Sequence, residues 1–118
     1  MPLPSEVERI YPKTCRRAVT TAGTAEPLFD GVPRFYQVLS ITIRADADNV
    51  GNIYLGATNR VSNTDYSYIL AAGETVSLNA GQNWYGADRI IDAARMWIDS
   101  DNDGESLSFI ALMAQEAW

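Results

Sequence analysis

The residues best suited to chemistry form one run, Asp99-Ser100-Asp101-Asn102-Asp103-Gly104-Glu105. Oxygen ligands at alternate positions, then a glycine, are how a calcium-binding loop begins: the carboxylates converge and the glycine makes the sharp turn. An EF-hand loop would need a bidentate glutamate at its last position, and that position holds Ile110. The flanks also read as strands rather than helices. The run is therefore expected to be a solvated acidic hairpin turn, with Asn102-Asp103-Gly104 supplying the positive φ of a short turn. A cation clip on Asp99, Asp101 and Asp103 is the minor alternative. No cofactor is expected beyond, at most, calcium held there.

Other reactive groups are scarce. The chain has no histidine, which removes the usual general base and rules out a Ser/His/Asp triad. Its single cysteine, Cys15, allows no intramolecular disulfide, leaving an idle buried thiol or a thiol pair between copies. No phosphate-binding GxxxxGK[ST] loop occurs. The carboxylates are scattered over turns, so nothing supports a two-carboxylate hydrolase. The chain is not expected to be an enzyme. Aromatic side chains remain. Trp84, Tyr85, Trp97 and Trp118, with Tyr54, Tyr66 and Tyr68, suit either a core or a carbohydrate or protein contact. Trp97 lies opposite Met96 and Ile98 on its strand and is the best candidate for a contact between subunits. Trp118 is a second.

Positioning these groups falls to short strands. With 118 residues, 47% of them hydrophobic and 20% charged, the chain has the size and composition of one globular domain. A formal charge of -6 argues against nucleic acid as a partner. No apolar run has membrane-spanning length, and Met1–Thr14 lacks the apolar stretch of a secretion signal. A soluble chain is expected, with no membrane partner. All the prolines fall before residue 34. There Arg9, Lys13, Arg16, Arg17 and Arg34 nearly balance Glu6, Glu8, Glu26 and Asp30, so the remainder carries the acidity. Proline fixes φ and removes a donor, which favours unpaired extended chain. Residues 1–34 are thus expected to form an extended N-terminal arm, and residues 35–118 the folded body. Within the arm, Arg16–Thr21 has the look of a first short strand, and Leu28 and Phe29 could anchor the arm to the body.

In the body, Phe35–Ala45 is the clearest strand, with Phe35, Leu39, Ile41 and Ile43 on one face and Ser40, Thr42 and Arg44 on the other. Val50, Ile53 and Leu55 approximate a second. Tyr66, Tyr68 and Leu70 form a third, and Thr75–Asn79 alternates with Val76 and Leu78 inward. Ile90–Asp99 and Glu105–Met113 complete the set. In the last, Leu107, Phe109, Ala111 and Met113 share a face. Ile110 and Leu112 make the other face apolar too, as in a central or interface-covered strand. About six or seven short strands, with turns at regular intervals, predict an all-β fold, a small β-sandwich or jelly-roll-like barrel.

Three segments carry a family resemblance: Asn49-Val50-Gly51-Asn52-Ile53-Tyr54-Leu55-Gly56, Ile69-Leu70-Ala71-Ala72-Gly73-Glu74-Thr75-Val76-Ser77-Leu78, and Met96 to Leu112. Together they resemble small virion proteins of tailed bacteriophages. In those, a strand ending near IYLG is followed by a strand entered through a Gly-Glu pair and then by a closing hairpin. The resemblance covers about half the chain and brings no catalytic residues. It implies a structural protein on the capsid surface, a decoration or cement protein bound to the major capsid protein, often as a homo-oligomer with a trimer favoured. A tail, neck or fibre component with a glycan- or protein-binding β domain is the alternative. Under this reading Arg9, Lys13, Arg16, Arg17 and Phe35, with Trp97 and Trp118, are the candidate partner contacts. The mode available to the arm is strand addition to a neighbour's sheet edge.

Overall fold

The structure, a computed structural model, describes residues 9–29, 37–80, 91–92 and 95–115. These residues form nine strands: β1 (Arg9–Ala18), β2 (Glu26–Pro27), β3 (Gln37–Ala45), β4 (Ile53–Gly56), β5 (Tyr68–Leu70), β6 (Thr75–Asn79), β7 (Ile91–Asp92), β8 (Trp97–Ser100) and β9 (Ser106–Gln115). Every pairing is antiparallel. One sheet has the order β1-β9-β3-β6, with the short β7 also on β3, and the other has the order β2-β8-β4-β5. The two sheets face each other over a single core, so the fold is the expected β-sandwich. With β7 set aside, consecutive strands alternate between sheets except β4 and β5, which pair with each other, and the last strand lies between the first and the third. This is the connectivity of a jelly roll.

The core follows from alternation. Ile41, Ile43 and Ala45 of β3 and Leu107, Phe109, Ala111 and Met113 of β9 point inward and meet Ile53, Leu55, Leu70 and Ile98 of the opposite sheet. Phe29 and Phe109 stack at a tilt with ring centroids 4.9 Å apart.

Several expectations change. Residues 9–29 are not an arm. β1 pairs with β9 along its whole length, from Arg9 opposite Gln115 to Ala18 opposite Ser106. Val19 and Leu28 are fully buried, and Phe29 nearly so. Pro12 and Pro27 do not prevent this, because both fall on sheet edges. Val19 exchanges backbone bonds with the start of β9, donating to the Glu105 carbonyl and accepting from Gly104 N–H. Alternation from Val19 turns the backbone groups of Arg17, Cys15 and Lys13 toward β9, and those of Ala18, Arg16, Thr14 and Pro12 toward the open side. The missing N–H of Pro12 is therefore on the open side. Pro27 sits in β2, an edge strand of the other sheet.

On β3 the register shifts between Val38 and Ser40. This bulge puts Val38, not Leu39, into the core. Val50, expected at the start of the second strand, is almost wholly exposed and outside β4, and Val61, between β4 and β5, is buried. The segment expected as one strand over Ile90–Asp99 is divided: β7 joins β3, whereas β8 belongs to the opposite sheet.

A candidate interaction surface and an acidic corner

The acidic run is not a hairpin turn. β8 and β9 lie in different sheets, so Asp99–Glu105 is a corner that carries the chain across the end of the sandwich. Only Gly104 takes positive φ there, at 79°. Nor is the run fully solvated, since Asp99 and Glu105 are both buried.

Its carboxylates do not converge. They alternate between two neighbouring loops. Asp99 accepts from Gly23 N–H at 2.9 Å and Asp103 from Ala22 N–H at 2.7 Å, both in the loop after β1. Asp101 accepts from Asn52 N–H at 2.8 Å and from the Tyr54 hydroxyl at 2.7 Å. Glu105 accepts from Gly51 N–H at 2.7 Å on one oxygen and from the Asn102 backbone and side chain on the other. Extended chain sends successive side chains to opposite sides, and here each side meets a loop. A bond to a charged acceptor contributes about 1.5–3 kcal/mol, so the corner is a clasp holding both loops. The approach is close enough to require Gly51, where an added Cβ would lie 2.6 Å from Asp101 Cβ and 2.9 Å from a Glu105 oxygen. The candidate ligands Asp99, Asp101 and Asp103 are thus not brought together. Among the described residues no cluster of three or more acidic, histidine or cysteine side chains suits a metal ion.

Two titrations mark this end of the molecule. The Ser106 hydroxyl, donating at 2.6 Å, and then the charge of Arg16 hold the Asp46 carboxyl below its ordinary range. Burial, and then the bond to Asp101, push the Tyr54 phenol above its own. Asn49 completes the joint: its side chain donates to the Ser106 carbonyl at 2.8 Å and accepts from Ser106 N–H at 3.1 Å, copying a strand pairing.

The outer face of the β1-β9-β3-β6 sheet is built differently. The registers align its side chains in rows across the strands. Arg16, Ser108, Arg44 and Thr75 make one row. Thr14, Ile110, Thr42 and Ser77 make the next, and Pro12, Leu112, Ser40 and Asn79 the third. Thr42 and Ser77 hydroxyls lie 3.0 Å apart across their strands, which fixes the face. Ile110 and Leu112 are 45% and 41% exposed, high for large aliphatic side chains on a central strand. A groove of about 630 Å³ runs between Thr14, Arg16, Ser108, Ile110, Thr42 and Arg44. Arg16 is already engaged, by an ion pair with Asp46 and a 3.2 Å bond to Ser106. Arg44 makes no hydrogen bond or ion pair with the described residues.

The candidate partner contacts scatter. Arg16 is on the outer face, whereas Arg17 turns inward and straps the sheets together, donating to the carbonyls of Leu28 and Pro27 and pairing with Glu26 at 3.5 Å. Lys13 is half-buried on the inner side of β1, and Arg9 begins that strand opposite Gln115. Trp97 is half-buried in a separate cleft of about 250 Å³, with Tyr68, Leu55, Leu78 and Met96. Phe35 and Trp118, like Trp84 and Tyr85, lie outside the described residues. Arg44 escaped notice because alternation alone places it outward but does not align it with Arg16. That alignment requires the β1-β9-β3 register. The apolar outer side of β9 was the signal available in the sequence.

No protein-family model matches the chain, and no curated protein matches it significantly.

Proposed function

We propose that this chain is a non-enzymatic structural protein of a tailed-phage virion, a decoration protein that binds the major capsid protein and stabilises the head. The observation that carries the reading is the open edge of β1. This ten-residue strand pairs on one side only among the described residues. Its outward N–H and C=O groups are a template for a strand from a neighbouring subunit, and Pro12 interrupts them at one point. A clasped corner and a side-chain strap give that edge a stiff support. Jelly rolls serve in capsids and in lectins alike, so the fold agrees with the reading without selecting it. The strand resemblance points to the capsid. Stabilisation would follow from mass action, because a protein that binds only assembled shell favours assembly. The protein would then sit on the capsid surface as a homo-oligomer, a trimer being the favoured form.

Cosedimentation with heads lacking the protein tests this. The wild type is expected to bind. Thr14→Pro removes an outward N–H and keeps the β1-β9 bonds, so it should fold normally and bind poorly. Wild-type protein that stays in the supernatant would sink the reading.

A second reading, a glycan-binding tail or fibre module, rests on the cleft that Trp97 and Tyr68 line, since aromatic rings suit sugar faces. Glycan-array binding abolished by Trp97→Ala would favour it.

A further inference from the structure

We infer that the outer face of the β1-β9-β3-β6 sheet docks an extended segment of another protein, one carrying a carboxylate for Arg44 and two apolar side chains for Ile110 and Leu112. The inference rests on the reading of the chain as a partner-binding protein, but not on the identity of the particle. Three observations lead to it.

The first is charge. The chain carries -6 overall, yet its three outer rows contain no carboxylate and two arginines; Asp46 beside them engages Arg16 and leaves Arg44 as the cation for a partner. A surface with the opposite sign to the rest of its molecule selects an acidic partner. The second is desolvation. Ile110 and Leu112 expose apolar area beside the hydroxyls of Thr14 and Thr42, and an apolar centre with a polar rim is the build of a protein contact. Nucleic acid would need more cationic groups than two and would leave this apolar area uncovered.

The third is spacing. Successive rows are two residues apart along β9, about 6.8 Å at the usual strand rise. An extended segment lying along β9 has the same rise. One face of it presents alternate side chains, so a carboxylate followed by two apolar residues, each separated by one residue, matches the Arg44, Ile110 and Leu112 rows. Arg44 is the anchor because Asp46 already holds Arg16. Arginine forks bind carboxylates through two parallel bonds, which fixes the direction of the segment.

The probe is a peptide containing Glu-Thr-Leu-Thr-Leu, titrated into the labelled full chain and followed by amide chemical shifts. Shifts should map to the outer rows of β1, β3 and β9. Arg44→Glu should weaken binding by about tenfold, as loss of a charged anchor does. Arg44→Gln, the milder change, should give a smaller loss, and a peptide with lysine in place of glutamate should not bind. The inference is overturned by no binding, by shifts elsewhere, by equal binding of the lysine peptide, or by Arg44 variants that fold and bind as the wild type does. Self-association abolished by Leu112→Asp would also overturn it, in favour of a second copy. Failure of the wild type to bind heads, with the peptide still bound, would remove the virion reading and leave this surface standing.

Discussion

At the acidic corner each carboxylate of the run is met by a donor from a neighbouring loop, whereas on the outer sheet face Arg44 donates to no acceptor and pairs with no carboxylate among the described residues. Both regions are polar and both come from short strand-and-turn sequence. They differ in what surrounds them. Loops close over Asp99 and Glu105, so those two charges are withdrawn from water and must be satisfied from within. The outer face has no second layer among the described residues, so the charge of Arg44 stays available although Asp46 engages Arg16. A residue set that looks like chemistry can therefore be architecture, and a plain strand face can be what the molecule offers to others.

The comparison can be broken at the corner first, where effects should be largest. Glu105→Ala removes three accepted bonds from a buried position and should cost about 3 kcal/mol in urea unfolding. A cost near zero would mean the clasp carries no load. Gly51→Ala should cost about 2 kcal/mol, because the added methyl displaces Asp101 and Glu105. Tyr54→Phe should cost about 1 kcal/mol through the lost bond to Asp101.

Tyr54 also sets an alkaline limit. Its phenol is raised in the folded state, so its contribution is complete below the ordinary tyrosine value of about 10 and is lost as pH rises through the folded value. Thermal melts across that window should fall less steeply for Tyr54→Phe. Asp46 gives the opposite limb. Its carboxyl is depressed on folding, so its contribution is present above the ordinary aspartate range and disappears as pH falls through the folded value. Asp46→Asn should flatten that acid limb. The smallest effect belongs to the outer face: Leu112→Ser and Arg44→Glu should each change stability by no more than about 0.5 kcal/mol. A loss at Leu112 as large as that at Glu105 would erase the distinction between the two regions.

Much of the fold was legible. The inward set Leu107, Phe109, Ala111 and Met113 follows from alternation alone, as does the outward set Ser40, Thr42 and Arg44. The paired apolar faces of β9 announced a central strand, and β9 does lie between β1 and β3. Less legible were the places where alternation is reset. The bulge beside Leu39 moved Val38 inward, and nothing in Val38-Leu39-Ser40 marks it. The proline-rich start read as an arm because proline disfavours central strands, but an edge strand accepts proline wherever the N–H would face outward.

The candidate site shows the same division. Alternating acidic residues before a glycine determined, by themselves, that carboxylates would leave the chain on both sides of a turn. Whether those carboxylates met one cation or two loops depended on what lay within about 3 Å of each, and loops distant in sequence supply that. The periodicity of side chains is local and is written in the order of residues. The row of Arg16, Ser108 and Arg44, and the bonds from Gly23 and Gly51 to the acidic corner, join residues far apart along the chain. Only the packing of the two sheets, which sets register and brings loops together, could decide them.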